Sequence, residues 1–346
     1  MSKKIKLGFY IAFPIILGIF IASLFFNKTD YKITSQSANT IEAIEQISVN
    51  KEPDFIKLIF GGDIMLDRGV KKSVIKNFDG DYAKLFENLE ILKDFDIAFA
   101  NLEGTASDKG KDAGGIYSFH MDPLVLSAIK DAGINILSVA NNHVGDWGLR
   151  AYIDNLARLK NNGILYTGGG NNSKETEQPT IIEKYGMKIG FLGFSDVGPN
   201  WMKATEKQAG LLLASNPRFD EIIQNASGLV DYLIVSFHFG DEYKTKHNAR
   251  QEYLAHKAID NGAKIIIGHH PHVIQDTEVY KNGYIAYSLG NFIFDQSWSK
   301  PTMQGMLLEI KLNKDGKMTT TKNTFKLNKF FQPDEIITGE EEEIKF

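Results

Sequence analysis

The sequence has no cysteine. Disulfide staples, iron–sulfur clusters, thiolate zinc sites and cysteine nucleophiles are therefore excluded. It also lacks an excess of either charge: 39 Lys and Arg stand against 43 Asp and Glu, a formal net charge of −4. Nucleic-acid binding through counterion release needs a basic face, so no nucleic-acid partner is expected. Proline is scarce at 9 residues, glycine is ordinary at 31, and the apolar content is 43%. Those proportions exclude collagen-like, low-complexity and wholly disordered chains. No internal repeat is present.

Long apolar runs are absent with one exception. Leu7 to Phe26 carries no charged residue over 20 positions. As a helix it would span ~30 Å, the thickness of a bilayer core. Lys3, Lys4 and Lys6 precede it, and Lys28, Asp30 and Lys32 come after it. The balance of positive charge predicts a single-pass anchor with the N-terminus inside and the rest of the chain outside. The run ends in Leu24-Phe25-Phe26-Asn27, which lacks the small residues of a signal-peptide cleavage site. The expected organisation is a cytoplasmic basic end (1–6), a transmembrane anchor (7–26), a polar linker (27–54), one large domain (55–327) and an acidic tail (328–346). The tail, with Glu340 to Glu343 in a row, reads as a solvated or disordered end.

Within the large domain, short runs rich in Ile, Val, Phe and Tyr predict strands at 55–60, 97–100, 134–139, 187–194, 232–237, 264–267 and 284–288. Helical patterns lie between them. Asp122-Pro123 reads as a helix start closed by Gly133, and 248–261 as a helix stopped by Gly262. Alternation of the two patterns argues for sheets covered by helices. The segments 305–312 and 318–326 flank an Asn313-Lys314-Asp315-Gly316 turn and read as a hairpin. A mixed arrangement of two sheets is therefore expected in place of one parallel sheet.

Five polar clusters directly succeed five of these strands: Gly61-Gly62-Asp63-Ile64-Met65, Asn101-Leu102-Glu103-Gly104, Asn141-Asn142-His143 with Asp146, His238-Phe239-Gly240-Asp241-Glu242, and Gly268-His269-His270-Pro271-His272. Ligands bind at the carboxyl ends of strands in α/β sheets. Five clusters of Asp, Glu, Asn and His in register predict convergence. Carboxylate, amide and imidazole without thiolate form a donor set for one or two divalent cations of the Mn, Mg, Fe or Zn kind. Two such ions would polarise a phosphoryl or carbonyl oxygen.

The order Asp, acid, Asn-His, His, His-x-His resembles the calcineurin-like metallophosphoesterases. The spelling of the motifs, including Ala140 to Gly148, Gly268 to Val273 and Tyr287-Ser288-Leu289-Gly290-Asn291-Phe292, resembles more specifically the CapA (PGA_cap) family of poly-γ-glutamate capsule proteins. The likeness covers about Leu58 to Asp295. It implies an α/β fold of two packed mixed sheets flanked by helices, an αββα sandwich. It implies a role in capsule or poly-γ-glutamate biosynthesis, assembly or export at the cell membrane, beside membrane-bound polymer synthase or export subunits. An anionic polymer or a phosphoester would be the substrate. Carried over by residue, Asp63 and His272 would hold a first metal and Asn142, His238 and His270 a second. Glu103 would stand where a bridging Asp usually stands, unless Asn101 is the aligned residue. His143 would be a general acid oriented by Asp146.

Two departures bear on activity: the longer Glu103 in place of the bridging Asp, and a change at Met65. The usual Asp-x-His is Asp63-Ile64-Met65 here, and thioether is a poor ligand for a hard cation. The Asp63 site is therefore expected to be the weaker one. A surface phosphoesterase without a polymer partner and a non-catalytic accessory subunit remain as other readings. Metal affinity is expected to fall as pH drops through ~6.5, where free imidazole protonates. His269 carries no assigned role, Asp241 and Glu242 read as surface or substrate-loop residues, and Trp147, Trp201 and Trp298 read as core or rim packing.

Overall fold

The computed structural model describes residues 53–345. The anchor at 7–26, the basic end and nearly all of the linker lie outside the described residues. Among the described residues, no helix is long and apolar enough to cross a membrane.

Among the same residues, fifteen strands build two mixed sheets. In chain order they are β1 (Phe55–Ile64), β2 (Ile97–Leu102), β3 (Ile136–Ser138), β4 (Leu165–Thr167), β5 (Thr180–Lys184), β6 (Met187–Ser195), β7 (Tyr232–His238), β8 (Ile265–His269), β9 (Thr277–Tyr280), β10 (Gly283–Ala286), β11 (Asn291–Ile293), β12 (Gln304–Asn313), β13 (Met318–Leu327), β14 (Pro333–Ile337) and β15 (Glu341–Ile344). The larger sheet runs β14-β13-β12-β1-β2-β3-β4, with β11 added beside β1 and β15 beside β13. The smaller runs β9-β10-β8-β7-β6-β5. The smaller has a parallel centre and antiparallel edges, whereas the larger is parallel from β1 to its β4 edge and antiparallel from β1 through β12 to β14.

Alternation along each strand sorts its side chains into layers. Ile56, Leu58 and Phe60 of β1, Ile97 and Phe99 of β2, Ile234 of β7, and Ile265 and Ile267 of β8 meet in one buried cluster between the sheets. Phe99 stacks on Phe191 across that layer, with ring centroids 5.8 Å apart. Each such side chain contributes about 1.5–3 kcal/mol by leaving water. The opposite rows face helices. Ala98, Ala100 and Leu137 pack with Tyr152, Leu156 and Leu159 of the helix Gly148–Asn161. Leu192, Val235 and Ile266 pack with the helices Phe219–Ser227 and Ala249–Asp260. The second of these buries Gln251, Leu254, Ala255, Ala258 and Ile259, one face of a helical period. It begins with a capping box between Asn248 and Gln251, and Gly262 lies just beyond it at φ +110°.

Two expectations are corrected. The helix read from Asp122 starts at Val125; the Asp122 carboxylate instead accepts from Leu124 N–H in a preceding turn. The stretch 328–345 is solvated but not a loose end. Its β14 and β15 both pair with β13. The Glu341 and Glu342 side chains are exposed and face Lys311 and Lys322, while Ile344 is buried in the layer between the sheets.

One irregularity positions the site. Phe60 pairs with Phe99, but Asp63 pairs with Asn101, so β1 carries one residue more than β2 between these pairs. Such a bulge re-aims the side chains beyond it. Asp63 thereby joins the inward row that ends in Asn101. Gly62 lies in the bulge, and a Cβ there would overlap the Gly290 carbonyl.

Candidate metal centre

The inward rows of both sheets end in polar residues. After Ile234 and Ser236 comes His238; after Ile265 and Ile267 comes His269; after Ile97 and Phe99 comes Asn101. His238 pairs with His269 across the smaller sheet, and Asp63 pairs with both Asn101 and Asn291 across the larger. The two rows meet at Asp63, whose carboxylate is fully buried. Asn101 Nδ2 donates to its Oδ1 (2.8 Å) and His270 N–H to its Oδ2 (3.1 Å). The Nδ1 atoms of His269 and His272 stand 3.4 and 3.5 Å from it. Burial works to raise the Asp63 carboxyl, but His269, His272 and His238 together outweigh it and hold it well below the ordinary carboxylate value.

Glu103 is the opposite case. Its backbone N–H bonds to Ile64 O, which fixes the residue beside the end of β1. Its side chain is fully buried, and neither carboxylate oxygen has a hydrogen-bond partner. Burial, reinforced by Asp63, Glu242 and Asp146, pushes its pKa well up. Oε1 is approached by two imidazole Nε2 atoms, His272 at 3.6 Å and His143 at 3.8 Å.

Neither nitrogen is placed to donate. Asn291 Nδ2 donates to Gln296 Oε1 (3.1 Å) and Thr302 O (2.9 Å), so its Oδ1 is the acceptor facing His272 Nδ1 at 3.0 Å. His272 therefore carries its proton on Nδ1 and turns a lone pair toward Glu103. Asp146 Oδ2 accepts from His143 Nδ1 (2.8 Å) and from Phe119 N–H (2.9 Å), which fixes the same tautomer in His143. The His143 ring lies on that of Phe119, with centroids 3.9 Å apart.

The other predicted residues lie in the same place. His238 Nε2 and Asn142 Oδ1 are 2.8 Å apart. The rings of His238 and His270 are 4.9 Å apart, and those of His270 and His272 are 6.0 Å apart. Burial pushes His238 well below the ordinary imidazole pKa, and pushes His270 and His272 down to about 4. All eight predicted residues thus join one connected cluster. Two groups within it bring ligand atoms within 4.8 Å of one another: Asp63, Glu103 and His238, and Glu242, His270 and His272.

His272 Nδ1 stands 3.5 Å from Asp63, the pairing expected for a first site, and His272 also belongs to the group around Glu242. His270 and His272 both have positive φ, +98° and +58°, and this looped backbone turns them toward Glu242. Glu242 is read from sequence as a surface or substrate-loop residue within the cluster that follows His238, and the structure brings it beside His270 and His272. Asn101, Asn141 and Asn291 orient the site. Asn141 donates to Asn101 Oδ1 and Leu102 O, and its own Oδ1 accepts from Gly104 and His143 N–H. His269 sits against Asp63 with neither ring nitrogen hydrogen-bonded. Met65 is fully buried with Phe119 and Phe294, and its sulfur accepts from Asp67 N–H (3.3 Å), so it fills apolar space.

The fold and this cluster define a mixed α/β protein with two groups of carboxylate and imidazole donors able to hold divalent cations. The chain belongs to the bacterial capsule synthesis protein PGA_cap family, whose model matches residues 57–296. It is 33% identical over 318 residues to the capsule biosynthesis protein CapA of Bacillus anthracis, covering 88% of this chain and 72% of that one. It is 31% identical over 320 residues to the PGA biosynthesis protein CapA of Bacillus subtilis, covering 91% and 79%. A solved calcineurin-like phosphoesterase of Bacillus subtilis, YfkN, superposes with a TM-score of 0.41 at 13% identity, over 84% of this chain and 90% of that one.

Proposed function

We propose that this protein works in the assembly or export of a poly-γ-glutamate capsule polymer, and that its site is a metal-dependent hydrolase site taking one or two divalent cations. Family membership and the capsule proteins it is similar to support the polymer. The observation that carries the metal is Glu103. A buried carboxylate without a partner is costly, and here imidazole lone pairs face it where donors would be needed. Cations bound beside it would satisfy the carboxylate and the His272 lone pair, leaving His143 Nε2 to the leaving group. Oxygen and neutral-imidazole donors fit Mn, Mg, Fe or Zn. Glu103 with Asp63 and His238, and Glu242 with His270 and His272, would hold the ions, with Asn142 beside His238.

A bound cation supplies Lewis-acid polarisation of a phosphoryl or carbonyl oxygen. The chain itself supplies the acid. Asp146 anchors His143 Nδ1–H, so a second proton taken up at Nε2 can be passed to a leaving group. Leu7–Phe26 supports a location on the outer face of the cell membrane, near the polymer synthase or export subunits. Met65 favours a second reading, a cation-binding accessory subunit that does not hydrolyse.

Purified full-length protein should contain divalent metal and shorten poly-γ-glutamate in a chelator-sensitive way. Cleavage of simple phosphoesters alone would favour a phosphoesterase unrelated to capsule, and bound metal without any hydrolysis would favour the accessory role. In spheroplasts, added protease should reach the globular domain, and protection from protease would contradict the outer location. Asn291→Ala frees the His272 ring to rotate, and should lower metal affinity by about 10–100-fold, as loss of a ligand-orienting partner does. Isothermal titration of metal into the stripped protein reads this directly.

A further inference from the structure

We propose that residues 114–118 form a lid that closes over the metal centre when an oxyanion binds there, setting Ile116 and Tyr117 against Tyr243 and Trp298. The proposal rests on the metal-dependent reading above and adds how the site is shut from water.

The base of this segment is fixed to the loop that carries His143 and Asp146. Lys111 N–H donates to Trp147 O (3.2 Å), Ala113 N–H to Asp146 O (2.8 Å) and Phe119 N–H to Asp146 Oδ2 (2.9 Å). The approach is tight, since a Cβ on Gly110 would overlap Trp147 O. Asp112 closes the neck: its Oδ1 accepts from Gly114 N–H (2.9 Å) and from Ser118 Oγ (3.1 Å). Beyond the neck the contacts stop. Within the described residues, Gly115, Ile116 and Tyr117 make no hydrogen bond. A Cβ on Gly114, at φ +86°, would meet nothing within 4 Å. A tip tied at its neck and free beyond it changes position without breaking packed structure.

The tip carries side chains that gain by leaving water. Ile116 is 95% exposed, more than any other large apolar side chain among the described residues, and Tyr117 is exposed beside it. The same rim presents a second uncovered pair. Tyr243 and Trp298 are exposed and meet edge-on with centroids 5.9 Å apart, and Tyr243 lies over the ring of His272 at 6.2 Å. A φ of +64° and a bond from its N–H to Pro271 O (2.8 Å) hold Tyr243 there. The gap between the pairs is short: burial and Glu242 raise the pKa of the Tyr243 phenol, and Tyr117 stands near enough to add to the rise. The tip thus lies between the His143 side, where its base is fixed, and the His272 side, where Tyr243 stands. Closing across that opening buries each apolar pair against the other. It also brings the Tyr117 O–H to the oxygens of a bound anion as a donor. Only the anion-bound state offers that bond, which is the differential contact a ligand needs to drive closure. Water is then excluded from the metal centre.

The test uses full-length protein loaded with divalent metal and freed of the excess. The chain has no cysteine, so Ile116→Cys with Ser297→Cys supplies the only two thiols for spin labels; Ser297 is exposed beside Trp298. Double electron–electron resonance should give a shorter distance between the labels with inorganic phosphate than without it. In calorimetric titrations, the double variant Ile116→Ser with Tyr117→Ser should bind phosphate about three- to tenfold more weakly than the wild type, the size of a lost aromatic contact. Tyr117→Phe should lie between the two, and metal content should be the same in all three. A label distance that ignores bound phosphate, a double Ser variant that binds phosphate like the wild type, or a metal-loaded protein that binds no phosphate would overturn the lid. Loss of metal in the tip variants would also overturn it, because the tip would then support the ligands instead of covering them. Failure of the metal-dependent reading looks different: the wild type takes up no metal before any phosphate is added, and the lid falls with it.

Discussion

Glu103→Gln is expected to weaken divalent-cation binding by more than about 100-fold, beyond the range seen when only an orienting partner is lost. In the metal-free protein, the same change should raise the melting temperature. Both effects come from one carboxylate, fully buried, without a hydrogen bond and facing the lone pairs of His272 and His143. As a ligand it is the central charge of the cluster. Without metal it is a buried acid whose charged form no hydrogen bond stabilises, at a cost of about 1–3 kcal/mol for an unpartnered polar group and more for a charged one. Because its pKa is raised in the fold, its contribution to stability is present below the ordinary carboxylate value and is lost as pH rises through the raised one. The melting difference between variant and wild type should therefore be small near pH 5 and grow toward pH 8. Thermal unfolding of chelator-treated protein at both pH values measures it. A variant that melts lower than the wild type at pH 8 would mean that Glu103 has a stabilising partner.

The second large effect is the pH dependence of metal binding. Unperturbed imidazoles would lose metal as pH falls through ~6.5, which is the expectation from sequence. Burial moves His270 and His272 to about 4 and His238 well below its ordinary value. These rings are therefore already neutral at pH 6 and have no proton to release to an incoming cation. Glu103 does, over the range in which its raised carboxyl still holds one. The midpoint near 6.5 expected of free imidazole should therefore be absent, and protonation of the imidazoles should expel the metal only near pH 4. The same depressed imidazoles make metal-free stability complete above ~6.5 and lost as pH falls toward 4. Competition titrations with a chelator from pH 5 to 8 test this; a curve that titrates at 6.5 and is flat above it would contradict the burial argument.

Much of the site is legible in the sequence because each ligand cluster comes directly after an apolar strand. The carboxyl ends of parallel strands gather the residues that come next in the chain, so Asp63, Glu103, Asn142, His238, His270 and His272 converge. The fine geometry of the cluster is not legible. It depends on the bulge between Phe60 and Asp63, which resets alternation in β1, and on positive φ at His270 and His272. The Gly61-Gly62 pair hints at the bulge, but nothing local marks the positive φ values. Glu242 gains no ligand role from sequence because an exposed Asp-Glu pair in a loop reads as a surface or substrate-loop element. Asn291 fixes the tautomer of His272 from a separate strand, beyond the reach of any local motif. The C-terminal strands escape for a related reason. A run of glutamates argues against burial, and these side chains are indeed exposed, but an edge strand needs only its backbone and Ile344 to join the sheet.

The central claim is that these side chains exist to hold divalent cation. It is tested most directly by elemental analysis of full-length protein purified without added metal or chelator, as wild type, His238→Ala and His256→Ala. His238 is buried between Asn142 and Asn101, whereas His256 pairs with Glu278 on the outer helix. The wild type and His256→Ala should carry one or two equivalents of divalent metal, and His238→Ala should carry far less while keeping a wild-type circular dichroism spectrum. A wild type without metal, or a folded His238→Ala that keeps its full complement, would contradict the account.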